Sequence, residues 1–265
     1  MRIKSIVHAT FAATMTGLGA IGLFRPDFAP VWNPVPVTVP AREQLLYLGA
    51  LISLTCGIGL LVQRVAIIAA RLLLATILLW LLLFRLPNFL HASAFEACWT
   101  VFPLAVMLAA AWVLYVWLAA DWDRMRLSLI SGNNGLRVAR VLYGLSLIFF
   151  GTAHFIDVKD TVSLIPNWLP AHLFWAYFTG GTFIAAGIAV LSGFCARLAT
   201  ALSAMQIGLF LLLVWIPIVA AGSKDSFQWN ETILNAALFA GAWVVADSYC
   251  GTSRLAVNKS SAGLP

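Results

Sequence analysis

Residues Ile165–Gly181 read IPNWLPAHLFWAYFTGG. Pro166 and Pro170 bracket Asn167, Trp168 and Leu169; a His, a Trp and a Tyr follow, and the run then turns apolar. A weaker copy, PVPVTVPAREQLLYLGA, begins at Pro34. Each proline fixes its own φ and disfavours helix at the residue before it. A proline in the first helical turn loses no hydrogen bond, because its N–H had no partner there. Both stretches therefore predict an elbow that launches a helix, with Pro40 and Pro170 at the two starts. Trp32, Trp168, Trp175, Tyr47 and Tyr177 are residue types that gather at a membrane–water interface.

The copy extends beyond the elbow. An offset of 130 places Pro36 on Pro166, Ala41 on Ala171, Gly57-Ile58 on Gly187-Ile188, Leu81-Leu82-Leu83 on Leu211-Leu212-Leu213, Pro87 on Pro217 and Trp99 on Trp229. Near the ends, WLAAD (117–121) echoes WVVAD (243–247). Self-similarity at a fixed offset is the signature of an internal repeat.

Of the 265 residues, 62% are hydrophobic and 10% charged, against roughly a quarter charged in an average soluble domain. A bilayer-crossing helix needs about 20 mostly apolar residues. Eight stretches qualify, near 5–24, 43–62, 65–87, 98–119, 138–156, 171–193, 196–220 and 230–248. The first, after Arg2 and Lys4, also has the form of a signal peptide; its recurrence as the first helix of the second half argues for a retained span. The expected fold is all-α: a polytopic membrane protein of eight transmembrane helices arranged as two parallel four-helix repeats, since an even number of spans per half brings both halves into the membrane in the same sense. Residues 1–120 form the first repeat, 121–137 a polar linker with a flexible Gly-Asn-Asn-Gly run, 138–250 the second repeat, and 251–265 a disordered tail.

The net charge of +6 is explained by the distribution of basic residues among loops. With the N-terminus inside, Arg2, Lys4, Arg64, Arg71, Arg124, Arg126, Arg137, Arg140, Arg197, Arg254 and Lys259 fall on one side; Arg25, Arg42, Arg85, Lys159 and Lys224 fall on the other. The positive-inside rule then predicts both termini in the cytoplasm of a bacterial inner membrane. No Lys/Arg stripe interleaves with aromatics, so no nucleic-acid partner is expected. Cys56, Cys98, Cys195 and Cys250 form no C-x-x-C pair and read as small apolar fillers.

The stretch HFIDVKDTVSLIPNWLPAHLFWAYFTGGTFIAAGIAVLSGFCARLATALSAMQIGLFLLLVWIP (154–217) resembles the DoxX-like family of small bacterial membrane proteins. The matching features are His154-Phe155 ending a helix, the Ile-Pro-x-x-Leu-Pro elbow, Thr179-Gly180, Arg197-Leu198-Ala199 and Trp229. The second half matches over nearly its whole length; the first half keeps both prolines and Phe24-Arg25. The resemblance implies a four-helix membrane bundle and an accessory role in a membrane redox system, quinone- or thiol-linked, with a quinone as the candidate cofactor and a redox complex or a second copy as the candidate partner. Relatives often carry a His just before the proline that ends the third helix; here that position is Trp215, and its counterpart is Arg85.

Ionisable groups inside a membrane are costly and are functional candidates by default. Arg85, Asn88, His91, Glu96, His154, Asp157, His172, Asn230 and Glu231 map to the external side, which predicts a polar pocket opening outward between the two halves. The candidate ligand-binding residues are His154, Trp168, Trp175, Glu231, Arg85 and Trp215, with the Trp168–Trp175 edge at the entrance. A plainer account is that helix ends are where polar residues go, with Arg85 snorkelling and Glu231 near a helix N-terminus. His91, His154 and His172 lack metal-ligand spacing, so no metal is expected. No nucleophile–base pair or phosphate loop is present, so an accessory role without catalysis is expected, against a small-solute transporter or channel and a non-catalytic scaffold.

Overall fold

The computed structural model describes residues 5–26, 30–36 and 39–250. The tail expected over 251–265 lies outside them, as do Arg2, Lys4, Arg254 and Lys259. The described residues are all-helical, with no strand among them. The helices are α1 (Ile6–Phe24), α2 (Arg42–Leu61), α3 (Ala66–Trp80), α4 (Ala94–Leu118), α5 (Asp121–Arg126), α6 (Ser128–Ser131), α7 (Asn133–Ile156), α8 (Val158–Leu164), α9 (His172–Ser192), α10 (Ala196–Phe210), α11 (Ile216–Ala220) and α12 (Ser226–Asp247).

Among the described residues seven helical segments are long and apolar enough to cross a membrane: Ile6–Phe24, Arg42–Leu61, Ala66–Leu90, Ala94–Leu118, Asn133–Ile156, His172–Ser192 and Ala196–Ala220. The eighth expected span, α12, has comparable length, but Gln228, Asn230, Glu231 and Asn235 dilute its apolar character. The outer faces of α2, α3, α9 and α10 expose Leu48, Ile58, Leu79, Phe174, Phe178 and Leu202. Their inner faces bury Gly, Ala and Ser among larger residues such as Leu46, Leu73, Ile77, Phe183 and Ile207. Large apolar residues outward, with small residues interspersed inward, suit a bundle surrounded by lipid, where small residues allow close backbone approach.

Helix starts follow their capping residues. Ser5 accepts from the His8 N–H at 3.2 Å, Ser93 and Glu96 form a reciprocal capping box on α4, and Asp225 accepts from Phe227 N–H at 2.9 Å. Such side chains satisfy the orphan N–H groups of a first turn. The prolines of the elbows sit differently from expectation: Pro40 and Pro170 precede the N-caps, Ala41 and Ala171, whose φ values are 56° and 58°. A left-handed alanine costs about 1–2 kcal/mol, and both elbows accept that cost at the same place.

The α3 helix passes into a π-helical turn, Leu81–Arg85, and then a 3-10 segment, Leu86–Leu90; α10 passes into a π-helical turn, Leu211–Trp215, and then α11. Pro87 and Pro217 explain both. Each lacks the N–H that an α-helical ladder requires and crowds the carbonyl four residues back, so the preceding turn widens.

The core consists of α4 and α12 with the helices around them. α1 packs on α2, α2 on α3 and α3 on α4; α7 packs on α9, α9 on α10 and α10 on α12. Across the molecule α4 meets α7 and α12, and α12 meets α1. Glycines set the closest approaches. A Cβ at Gly57 would lie 2.5 Å from the Thr16 nitrogen, and one at Gly187 would lie 2.6 Å from the Gly144 oxygen.

The 121–137 segment is not the flexible loop its composition predicts. It forms α5, α6 and the first turns of α7, with Asn133 and Asn134 inside α7. The cause is Asp123, which accepts hydrogen bonds from Arg71 Nε (2.9 Å), Arg71 Nη2 (2.6 Å), Tyr115 Oη (3.1 Å) and the Ala120 N–H (2.9 Å).

Candidate functional site

Ser5, Asp247, Ser248 and Cys250 line one small cavity, so both ends of the described chain lie at the same end of the bundle. At the opposite end, among the connections α1–α2 and the entries to α4 and α12, lies a larger cavity of about 430 Å³. Its polar lining comprises Asn33, Arg42, Arg85, Thr100, Asn230 and Glu231. Trp99, Leu104, Met107 and Leu234 supply its apolar walls. Small-molecule sites fall in this size range and combine apolar walls with a few placed polar groups.

Arg85 is the structural centre of the cavity. It closes the π turn after α3 and is 2% exposed, so it does not snorkel. Its guanidinium donates to the Pro34 carbonyl at 3.0 Å, the Val31 carbonyl at 3.1 Å and the Asn33 carbonyl. Those three carbonyls belong to a loop drawn inward by Trp32, whose ring is 1% exposed. The Trp32 Nε1–H donates to Ser53 Oγ at 2.7 Å, and the Trp80 Nε1–H donates to the Trp32 carbonyl at 3.0 Å. The two indoles meet edge to face at 4.9 Å. One wall of the cavity is thus a loop held by an arginine and plugged into its own bundle by a tryptophan.

A second part of the lining comes from α12: Asn230 and Glu231 stand in its first turns, half-buried, and share the lining with Trp99 and Thr100 of α4. Three buried polar atoms of the lining have no partner: Asn33 Oδ1, Arg85 Nε and Asn230 Oδ1. The Asn33 amide is oriented by its Nδ2–H, which donates to the Pro26 carbonyl at 3.1 Å.

The remaining candidates lie elsewhere. His154 closes α7 inside an aromatic cluster, 5.6 Å from the Phe183 ring and stacked on Phe210 at 5.9 Å, with Nδ1 2.7 Å from the Phe150 carbonyl. Trp215 is buried in the second π turn, where its carbonyl accepts from Thr232 Oγ1 at 3.5 Å. Trp168 is 68% exposed on the elbow. Trp175 packs edge to face on Phe174 (5.5 Å) and Phe178 (5.8 Å). None of these four lines the cavity, so the expected Trp168–Trp175 entrance is not part of it. Asn88 donates to Thr100 Oγ1 at 3.2 Å, beside the cavity, and Glu96 is committed to its cap. Among the described residues no three His, Cys, Asp or Glu side chains come together as a metal set.

Trp99, Thr100, Asn33 and Arg42 were not singled out as ligand residues by the sequence. Only the 130-residue offset of Trp99 from Trp229 hinted at the first of them. The Arg71–Asp123–Tyr115 cluster at the terminus-side end also escaped, because 52 residues separate its ion pair. Burial pushes the Asp123 carboxyl up, but the hydrogen bonds from Arg71, Ala120 and Tyr115 outweigh it and hold the group below the usual carboxylate range.

No protein-family model, no curated protein and no solved structure matches the chain.

Proposed function

We propose that this chain is an eight-span, DoxX-like protein of the bacterial inner membrane, built from two parallel four-helix repeats with both termini cytoplasmic. In this reading it serves as a non-catalytic accessory subunit of a membrane redox system and holds a small ligand in the far-side cavity. The observation that carries the ligand-binding role is the cavity itself: it lies where the first half meets α12, and it presents Arg85, Asn230 and Glu231 together. The duplication is supported by features 130 residues apart: left-handed Ala41 and Ala171, π turns at Leu81–Arg85 and Leu211–Trp215, and helix starts at Arg42/His172 and Ala66/Ala196. Glycine contacts repeat as well, Gly57 against Thr16 and Ala12, Gly187 against Ile148 and Gly144. An eighth span is supported by the packing of α12 against α1, α4 and α10, and by the shared end of both described termini.

Below the cavity Gly241 of α12 sits close to the side chains of Val106 and Met107 of α4. That packed layer favours a ligand held at one end over a solute passed through.

Affinity capture of the full chain from solubilised membranes, with in-membrane cross-linking beforehand, tests the accessory role. The expected result is a membrane oxidoreductase subunit cross-linked to the chain. Recovery of self-contacts alone would overturn it.

A further inference from the structure

We propose that the far-side cavity recognises a primary ammonium group carried a few bonds from an oxyanion, the chemistry shared by a phosphoethanolamine lipid headgroup and a free α-amino acid. The proposal rests on reading this cavity as a ligand site. It follows from counting what the lining leaves unpaired.

On the donor side stands Arg85. It is almost fully buried and makes three hydrogen bonds to neutral carbonyls, yet its Nε–H is unpartnered. It forms no ion pair with Glu231, although both line the cavity. A buried cation satisfied only by dipoles retains its charge toward the space beside it, and a guanidinium binds oxyanions through strong charge-assisted hydrogen bonds. Arg42, exposed at the start of α2, adds a second cation at the rim.

Among the acceptors of the lining stand three groups. Asn33 Oδ1 and Asn230 Oδ1 are buried without donors, and the Glu231 carboxylate shares the lining. An –NH₃⁺ group carries three donors and no acceptor, which matches three acceptors. Trp99, also in the lining, offers a ring face of the kind that attracts cations. A quinone ring, by contrast, presents two acceptors and no donor, and would leave Asn33 and Asn230 unsatisfied. An anion without an amine would meet Arg85 but face Glu231. A quaternary ammonium would bring charge with no N–H to donate.

The test uses the full chain in nanodiscs. One arm compares bilayers of phosphatidylcholine alone with bilayers containing equal minor fractions of phosphatidylethanolamine, phosphatidylglycerol and a membrane quinone, and reads co-retained molecules by native mass spectrometry. A second arm offers isotope-labelled alanine to protein in phosphatidylcholine discs and measures binding by equilibrium dialysis. The expected result is at least a 10-fold preference for the ammonium-bearing probe in one arm, which identifies the source. Glu231→Gln and Asn230→Leu should each reduce it by about 10-fold, the cost of losing one charge-assisted partner. Both variants leave the Arg85–loop contacts in place, and a monodisperse elution profile checks the fold. Retention of phosphatidylglycerol, phosphatidylcholine or the quinone at the level of the ammonium probes would overturn the ammonium assignment while leaving a ligand site. Retention of none of the probes would overturn the ligand-site reading as well.

Discussion

Asp123→Asn tests whether the segment between the two halves is fastened by one carboxylate. In the wild-type chain Asp123 is 0% exposed and receives four hydrogen bonds, two of them from Arg71. The amide keeps one oxygen for the Ala120 N–H or Tyr115 but turns an NH₂ group toward the guanidinium. Each charge-assisted hydrogen bond is worth about 1.5–3 kcal/mol. The Arg71 side chain is 39% exposed, so water recovers part of its loss. The expected destabilisation is therefore about 2–3 kcal/mol, a fall in Tm of roughly 5–10 °C for a chain of this size. Trypsin should also cut faster after Arg124, Arg126 and Arg137, which flank the fastening. The sign of the pH dependence follows from the depressed Asp123 carboxyl. Its stabilisation is fully present above the ordinary carboxylate pKa of about 3.9 and is lost as pH falls through the lower folded value. The Asp123 contribution should therefore be flat from neutral pH down to about 4 and fall below it, and Asp123→Asn should lack that component. A Tm loss under 2 °C with unchanged tryptic cleavage would refute the fastening.

Three further predictions separate packing from binding. Gly187→Ala places a Cβ 2.6 Å from the Gly144 oxygen, whereas Gly181→Ala meets nothing within 4 Å; thermal unfolding in detergent should show the first lowered by about 1–3 kcal/mol and the second unchanged or raised, and equal Tm values would contradict the close α7–α9 approach. Trp32→Phe removes the donor to Ser53 and leaves a void beside Trp80, so it should cost about 2–3 kcal/mol and increase solvent access to the Val31–Pro34 loop in hydrogen exchange. His154→Ala and Trp168→Leu should leave ligand retention within about two-fold of wild type, because neither residue lines the cavity; a 10-fold loss in either would move the site to the second half.

Much of the fold was legible because membrane helices are specified by length and composition. The seven apolar segments fall within a few residues of the stretches read from the sequence, and the prolines announced the elbows and the ends of α3 and α10. The linker was misread because Gly-Asn-Asn-Gly is a statement about local propensity, and Asp123 overrides it through partners on α3 and α4. The site was legible only in part. Arg85, Asn230 and Glu231 could be found by asking which polar residues sit at the far ends of apolar runs. Asn33 and Trp99 could not, since their roles depend on where a loop folds and which face of α4 meets α12. His154, Trp168, Trp175 and Trp215 satisfied the same criterion and lie outside this cavity, because residue type at a given depth does not say which neighbour it faces.

On the duplicated reading, the asymmetry of the two halves explains why the first supplies most of the cavity lining. The offset of 130 pairs Ser53 with Phe183, Trp80 with Phe210 and Arg85 with Trp215. In the second half Phe183 and Phe210 close on His154 and fill the top of the bundle from within. In the first half the small Ser53 leaves room, and Trp32 enters from the loop to fill it. Drawing Trp32 in brings its neighbours' carbonyls to the end of α3, where they need donors away from water. Arg85 provides those donors from the position that holds an indole in the other half. The loop tied down in this way lines the same cavity as Asn230 and Glu231 of α12. The buried cation is thus first a consequence of how one half fills its core, and the cavity is what that solution leaves beside it.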